Sequence, residues 1–153
     1  AGYNLKMTDM QAALGVAQMA RLDEFVAARR ANFAHLSARL ADCEEFVELP
    51  AAAPESDPAW FGFLITLRED APVSRLDLLR YLDQHKIGTR LLFAGNVTRQ
   101  PYMKGRGFRI SGELATANAI TERSFWIGVY PGLTPPMLDY AADRIREFLG
   151  VGF

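Results

Sequence analysis

The longest pattern in the sequence is an apolar stripe at helical spacing near the amino terminus. Apolar side chains recur at steps of three and four residues over residues 9–41, with charged residues between them. Thr8 and Gln11 stand at the spacing of a capping box, which marks a helix start. The pattern predicts one long helix with a bend near residues 22–23. We expect such a length to pack on another domain or subunit.

The remainder of the chain alternates short strand and helix patterns. Ser74 and Asp77 predict the start of one helix, and Thr134-Pro135 starts the last helix, which Gly150 ends. A proline-rich connector and a glycine-rich stretch predict irregular structure. The connector covers residues 49–58 and the glycine-rich stretch 94–113; predicted strands cover 60–67, 88–93 and 125–130, and predicted helices cover 74–86, 116–124 and 134–149.

Together these elements predict an α+β fold. A three-stranded sheet is covered by helices on one face, and the long helix precedes it. We expect residues 1–48 to form an interdomain or interface helical segment, and residues 49–153 to form a small C-terminal α+β domain.

Composition excludes several classes of protein. With 17 basic and 18 acidic residues, the chain gives no reason to expect a nucleic-acid partner, which would require a basic face. No apolar run approaches the roughly 20 residues of a membrane span, and no signal pattern stands at the start, so we expect a cytoplasmic protein. Cys43 is the single cysteine, so this chain alone can build no internal disulfide, zinc knuckle or iron–sulfur cluster, and we expect an inert thiol because no cationic neighbour is evident to activate it.

Two groups of polar residues are candidates for binding. Asn4 and Lys6 precede the first helix, where an amide and an ammonium can bind an anion. The second group follows the strand that ends near residue 93. There, guanidinium groups suit a diphosphate, and shorter side chains suit sugar hydroxyls; these residues are Arg90, Asn96, Thr98 and Arg99.

Three phrases resemble one enzyme family. They are Gly-Tyr-Asn-Leu-Lys-Met-Thr-Asp-Met-Gln-Ala-Ala at residues 2–13, Gly-Thr-Arg-Leu-Leu-Phe-Ala-Gly-Asn-Val-Thr-Arg-Gln-Pro at 88–101, and Phe-Trp-Ile-Gly-Val-Tyr-Pro-Gly-Leu at 125–133. The family is the DegT/DnrJ/EryC1/StrS group of nucleotide-sugar aminotransferases and dehydrases. The second phrase lacks the histidine that the aminotransferases usually carry there, and it is similar to the 3-dehydrase branch.

The resemblance implies the C-terminal small domain of a fold type I, pyridoxal-phosphate-dependent enzyme that acts as a homodimer. It implies a pyridoxamine 5′-phosphate cofactor whose phosphate accepts a hydrogen bond from Asn4 of the neighbouring subunit. Lys6 and the residues of the second group would then contact a nucleotide-linked 4-keto-6-deoxysugar, with CDP-4-keto-6-deoxyglucose implied by the branch. A [2Fe-2S] cluster and an NADH-dependent iron–sulfur flavin reductase would supply electrons for 3-deoxygenation in deoxysugar and lipopolysaccharide biosynthesis.

In this family the catalytic histidine, the aspartate that partners the pyridine nitrogen and the cluster cysteines all lie upstream of the matching stretch. The resemblance therefore implies a C-terminal fragment that is inactive alone, with no catalytic residue and no cofactor bound by itself. Two alternatives stay open. One is a fragment of a pyridoxal-phosphate-dependent sugar aminotransferase, and the other is a free-standing binding or assembly module that uses the long helix as its partner surface.

Overall fold

The fold is built around an antiparallel sheet with helices packed on one face, in a computed structural model that describes residues 6–152. Within that range the sheet has four strands in the order β1-β2-β4-β3. The strands are β1 Val47–Glu48, β2 Gly62–Leu67, β3 Thr89–Arg90 and β4 Ser124–Gly128; the helices are α1 Asp9–Met19, α2 Leu22–Leu40, α3 Arg75–Gln84, α4 Ala115–Arg123 and α5 Pro135–Leu149; short 3-10 turns cover Ala41–Cys43, Val97–Arg99 and Pro101–Met103.

The central strands β2 and β4 divide the sheet into a buried face and an open face. Their register runs from Gly62 opposite Gly128 to Thr66 opposite Ser124. Because successive side chains of a strand point to opposite faces, one set points to the helices and the other to the open side. The helix-facing set of β2 and β4 is fully or almost fully buried and consists of Phe63, Ile65, Leu67, Phe125 and Ile127.

Helices α2, α3 and α5 cover the buried face. Each helix contributes apolar residues at three- and four-residue spacing, which places them on one side of the helix. The buried helical residues include Phe33, Leu36 and Leu40 of α2, Leu78 and Leu82 of α3, and Leu138, Ala142, Ile145 and Leu149 of α5. The predicted boundary between residues 48 and 49 stays a prediction, and α2 shares the core of the part that follows it.

A row of ion pairs joins α2 to α5 at the edge of this core. His35 Nε2 lies 2.8 Å from Asp139 Oδ1, and Arg39 pairs with Asp143. Arg146 of α5 pairs in turn with Asp42, just beyond α2, and this hydrogen bond lowers the pKa of the Asp42 carboxyl. Exposed pairs of this kind contribute little individually, so the row adds orientation to a packing that the apolar residues drive.

The first helical pattern forms two helices instead of one. The capping box is confirmed, because Thr8 N donates to Gln11 Oε1 at 3.0 Å and Gln11 N donates to Thr8 Oγ1 at 3.3 Å. The break falls at residues 20–21, where Arg21 leaves helical backbone angles, close to the predicted bend. None of the residues of α1 is buried, and Met10 is 81% exposed. That α1 packs on another domain or subunit remains a prediction.

Several predicted boundaries were wrong. The sheet has four strands where three were predicted, because Val47 and Glu48 of β1 pair with Leu67 and Thr66 at the C-terminal end of β2. A two-residue strand leaves no periodic signal in the sequence. The second predicted strand shrinks to Thr89–Arg90 because the chain turns away toward Phe93, whose φ is 48°. Thr134 precedes the last helix as predicted, but its side chain makes no capping hydrogen bond.

No helix in residues 6–152 has both the length and the apolar composition needed to cross a membrane.

Leu82→Ala tests the buried face. Leu82 is fully buried, so its truncation leaves a cavity and should lower the free energy of unfolding by about 2–5 kcal/mol. Leu76 lies on the same helix but is 55% exposed, and Leu76→Ala should change that free energy by less than about 0.5 kcal/mol. Urea denaturation of both variants measures these changes. Equal losses of unfolding free energy in the two variants would contradict the assigned orientation of α3.

Candidate functional site

Four of the predicted substrate-binding residues lie in and beside a loop on the open face of the sheet; they are Arg90, Asn96, Thr98 and Arg99. The loop covers residues 91–101 and leaves β3 directly after Arg90. Trp126 of β4 holds its first residue, because the indole Nε1 donates to Leu91 O at 3.0 Å. Positive φ angles at Phe93 and Gly95 then fold the chain back, and two 3-10 turns complete the loop.

Asn96 is at the centre of the loop and is only 5% exposed. Its side-chain oxygen accepts from Thr98 N at 3.0 Å and from Thr98 Oγ1 at 2.7 Å. Its side-chain nitrogen donates to Asn118 Oδ1 at 2.7 Å. Asn96 was predicted to donate to sugar hydroxyls, but the structure uses these groups inside the protein to cap the Val97–Arg99 turn.

The two predicted arginines have different surroundings. Arg90 is exposed and stands opposite Trp126 in the register, so it lies on the open face beside the loop. Its guanidinium donates to Thr89 O at 3.3 Å and forms no ion pair with any residue in the described range. Arg99 is paired with Glu122 of α4. Arg90 therefore presents a guanidinium without a carboxylate partner among residues 6–152, which suits an incoming anion.

The amino-terminal candidates are Asn4 and Lys6. Lys6 is exposed ahead of α1. Asn4 lies outside the described residues, so its predicted hydrogen bond to a cofactor phosphate stays a prediction.

Aromatic side chains next to the loop were missed as site residues by the sequence analysis. Phe93 is 78% exposed at the turn of the loop, and Phe61 is 68% exposed just before β2. The Phe61 ring packs against Trp126 with centroids 4.8 Å apart. These rings border a shallow, mostly apolar cleft of about 410 Å³. The available sequence signal was an aromatic residue near one end of each of two predicted strands. It was missed because aromatic residues in a strand pattern are usually assigned to the hydrophobic core.

A second cleft, of about 530 Å³, lies between the ends of β3 and β4 and the start of α5. Its walls are apolar, with Tyr130, Met137 and Tyr140 among them and Lys86 at the rim. It contains none of the residues predicted to bind substrate.

The residues present do not fit an iron–sulfur cluster. Cys43 is fully buried, and burial, with a smaller contribution from Asp42, raises the pKa of its thiol to about 11. A [2Fe-2S] cluster is held by four cysteine thiolates, or by two cysteines and two histidines in a Rieske centre, and this chain has one cysteine. In the described part of the chain, no group of three or more histidine, cysteine, aspartate or glutamate side chains is placed to hold a metal ion.

Comparisons with a family profile and with curated proteins point to the same enzyme family. The profile of the DegT/DnrJ/EryC1/StrS aminotransferase family matches residues 1–146. The chain is 55% identical over 152 residues to lipopolysaccharide biosynthesis protein RfbH of Salmonella typhimurium, covering 99% of this chain and 35% of that protein. It is 46% identical to dTDP-4-dehydro-2,6-dideoxy-D-glucose 3-dehydratase of Saccharopolyspora spinosa, covering 97% of this chain and 32% of that protein.

A solved structure shares the fold. GDP-4-keto-6-deoxymannose-3-dehydratase with a trapped PLP-glutamate geminal diamine superimposes with a TM-score of 0.84 at 21% identity, covering 95% of this chain and 37% of that one. The fold therefore matches the C-terminal part of enzymes with the PLP-dependent aminotransferase fold. The chain spans about a third of the length of the curated relatives it matches.

Gly95→Ala tests the geometry of the loop. Gly95 has a φ of 57°, and an added Cβ would lie 2.4 Å from Thr121 Oγ1. Gly112 has a φ of 73° but nothing within 4 Å, so Gly112→Ala carries only the backbone cost of about 1–2 kcal/mol. Urea denaturation should show that Gly95→Ala lowers the free energy of unfolding by about 1 kcal/mol more than Gly112→Ala does, because of the added clash with Thr121. Equal losses would contradict the close approach of the loop to Thr121.

Cys43 should resist alkylation in the folded chain. Since its folded pKa of about 11 lies above the ordinary 9.0, burial of the neutral thiol contributes stability below pH 9.0 that is lost as the pH rises through about 11. Iodoacetamide should therefore react with Cys43 much faster in denaturant than in the native protein. Rapid native modification near neutral pH would contradict the buried assignment.

Proposed function

We propose that this chain, which belongs to the DegT/DnrJ/EryC1/StrS aminotransferase family, forms the C-terminal part of a nucleotide-sugar 3-dehydrase. The observation that carries the proposal is 55% identity to a lipopolysaccharide biosynthesis protein and 46% identity to a 3-dehydratase over almost the whole chain. The absence of histidine from the 91–101 loop supports dehydration over transamination. The reaction belongs to deoxysugar or lipopolysaccharide biosynthesis, in the cytoplasm.

The proposed substrate is CDP-4-keto-6-deoxyglucose, bound against the open face of the sheet. Arg90 is the proposed diphosphate contact, because its exposed guanidinium can donate to two oxygens at once. Lys6 adds a second positive charge toward the same diphosphate. Thr98 keeps a lone pair for a sugar hydroxyl after donating to Asn96, and Arg99 reaches substrate only by leaving Glu122. Asn96 supports the site from inside the loop.

Two cofactors belong to the proposed parent enzyme. Pyridoxamine 5′-phosphate supplies an electron sink for removal of the C3 hydroxyl, and Asn4 would donate to its phosphate across a homodimer interface. A [2Fe-2S] cluster and an NADH-dependent iron–sulfur flavin reductase are part of the same proposal. The single buried cysteine of this chain does not fit the cluster, whose ligands would have to come from outside it.

The exposed apolar side chains of α1 support the homodimer. Met10, Leu14 and Val16 project from a helix that buries none of its residues against the described chain. Exposed apolar patches of this kind mark interaction sites in soluble proteins. A free-standing assembly module would use the same surface, but it would bind no nucleotide sugar.

Arg90→Ala tests the substrate contact. Loss of the guanidinium should weaken binding of CDP-4-keto-6-deoxyglucose to the chain by about 10- to 150-fold, since hydrogen bonds to charged groups contribute about 1.5–3 kcal/mol. Arg80→Ala removes the same charge from the exposed side of α3 and should leave the affinity unchanged. Isothermal titration calorimetry of the wild type, Arg90→Ala and Arg80→Ala measures the three affinities. Equal affinity for wild type and Arg90→Ala would argue against the assigned contact.

The chain alone should show no dehydrase activity. Both histidines have structural partners, since His35 pairs with Asp139 and His85 Nδ1 lies 2.8 Å from Tyr81 O, so neither is placed as the proton-removing base. We expect no 3-deoxygenated product when the chain is mixed with pyridoxamine phosphate, reductase, NADH and CDP-4-keto-6-deoxyglucose. Mass spectrometry of the sugar nucleotide checks this, and any deoxygenated product would refute the prediction.

A further inference from the structure

One face of α4 carries the contacts that hold the 91–101 loop. Asn118 and Thr121 are three residues apart and therefore lie on the same side of the helix. Asn118 Oδ1 accepts from Asn96 Nδ2 at 2.7 Å, and Thr121 Oγ1 accepts from Asn96 N at 2.6 Å. Both contacts converge on one buried loop residue.

Asn96 carries the effect of these contacts into the loop. Its backbone and side-chain nitrogens donate to α4, while its side-chain oxygen accepts both the amide and the hydroxyl of Thr98. Because Asn96 is almost fully buried, a lost partner would leave a polar group without water to replace it. The hydrogen bonds from α4 therefore fix the orientation of the Asn96 side-chain amide. That amide in turn fixes the orientation of the Thr98 hydroxyl.

The same face of α4 also orients Arg99. Glu122 pairs with its guanidinium, and Asn118 Oδ1 lies 3.4 Å from Arg99 Nη1. Both ends of the Val97–Arg99 turn are thus attached to α4. None of the residues of α4 belongs to the apolar core, so these contacts can be removed without opening the main packing of the protein.

We propose that Asn118 and Thr121 are positioning residues, which act through Asn96 to hold the 91–101 loop in a preformed shape for the nucleotide sugar. This inference rests on the proposed function for its ligand. The preformed loop fixes the Thr98 side chain before binding, so less conformational entropy is lost when the ligand arrives. The sequence gives no sign of this role, because Asn118 lies 22 residues from its partner.

The experiment compares Asn118→Leu with Asn118→Asp. Asn118 serves only as an acceptor in these contacts, so aspartate keeps the hydrogen bond from Asn96 and strengthens the attraction to Arg99, whereas leucine removes both. The first readout is amide hydrogen exchange of Thr98 in the unliganded chain, with Ile65 in β2 as internal reference. The second is the affinity for CDP-4-keto-6-deoxyglucose by calorimetry.

We expect Asn118→Leu to speed Thr98 exchange about tenfold and to weaken binding by a similar factor, while Ile65 exchange is unchanged. Asn118→Asp should retain wild-type exchange at Thr98, because its carboxylate still accepts the hydrogen bond from Asn96. Unchanged Thr98 exchange in Asn118→Leu, or equally faster Thr98 exchange in both variants, would overturn the positioning role. If wild type itself binds no nucleotide sugar while Asn118→Leu still speeds Thr98 exchange, the proposed function fails but the hold of α4 on the loop is supported.

Discussion

The register between β2 and β4 is the constraint on which both the core and the site depend. It sets Ile65 opposite Phe125 on the face covered by helices, and Leu64 opposite Trp126 on the open face. Arg90 of β3 is opposite Trp126 in the register between β3 and β4, which places a guanidinium on the same open face beside the loop. Because side chains alternate with a period of two, a slip of one residue would expose the core and bury the site.

Polar contacts within the chain give the 91–101 loop its shape. The indole of Trp126 fixes its beginning, and the buried Asn96 fixes its middle through Asn118 and Thr121. Loops that display binding groups are usually positioned by a rigid scaffold, and here the scaffold includes a helix with no part in the core. Arg90 and Phe93 are among the exposed residues in and beside the loop, so this surface presents a guanidinium and an aromatic ring to solvent.

Much of the architecture was predictable because its signals are local. The capping box at Thr8, the N-cap at Ser74, the apolar spacing of the helices and the glycine at residue 150 all act within about one helical turn. The family resemblance also rested on contiguous phrases. The short strand β1 was not predicted, because two residues of pairing leave no periodic trace, and the bend predicted near residues 22–23 is a full break between two helices at residues 20–21.

The sequence by itself determined the fold class, the order of the main elements and which loop carries the polar candidates. Only the tertiary structure decided how those candidates are used. Asn96 was predicted to donate to sugar hydroxyls, and the structure pairs its side chain with Asn118, 22 residues away, while Arg99 pairs with Glu122 of the same helix. Such contacts depend on how separate elements pack, whereas caps and periodicity depend on neighbours in the chain. Arg90 kept its guanidinium exposed for the same reason: the register fixed its face, and no described carboxylate packs against it.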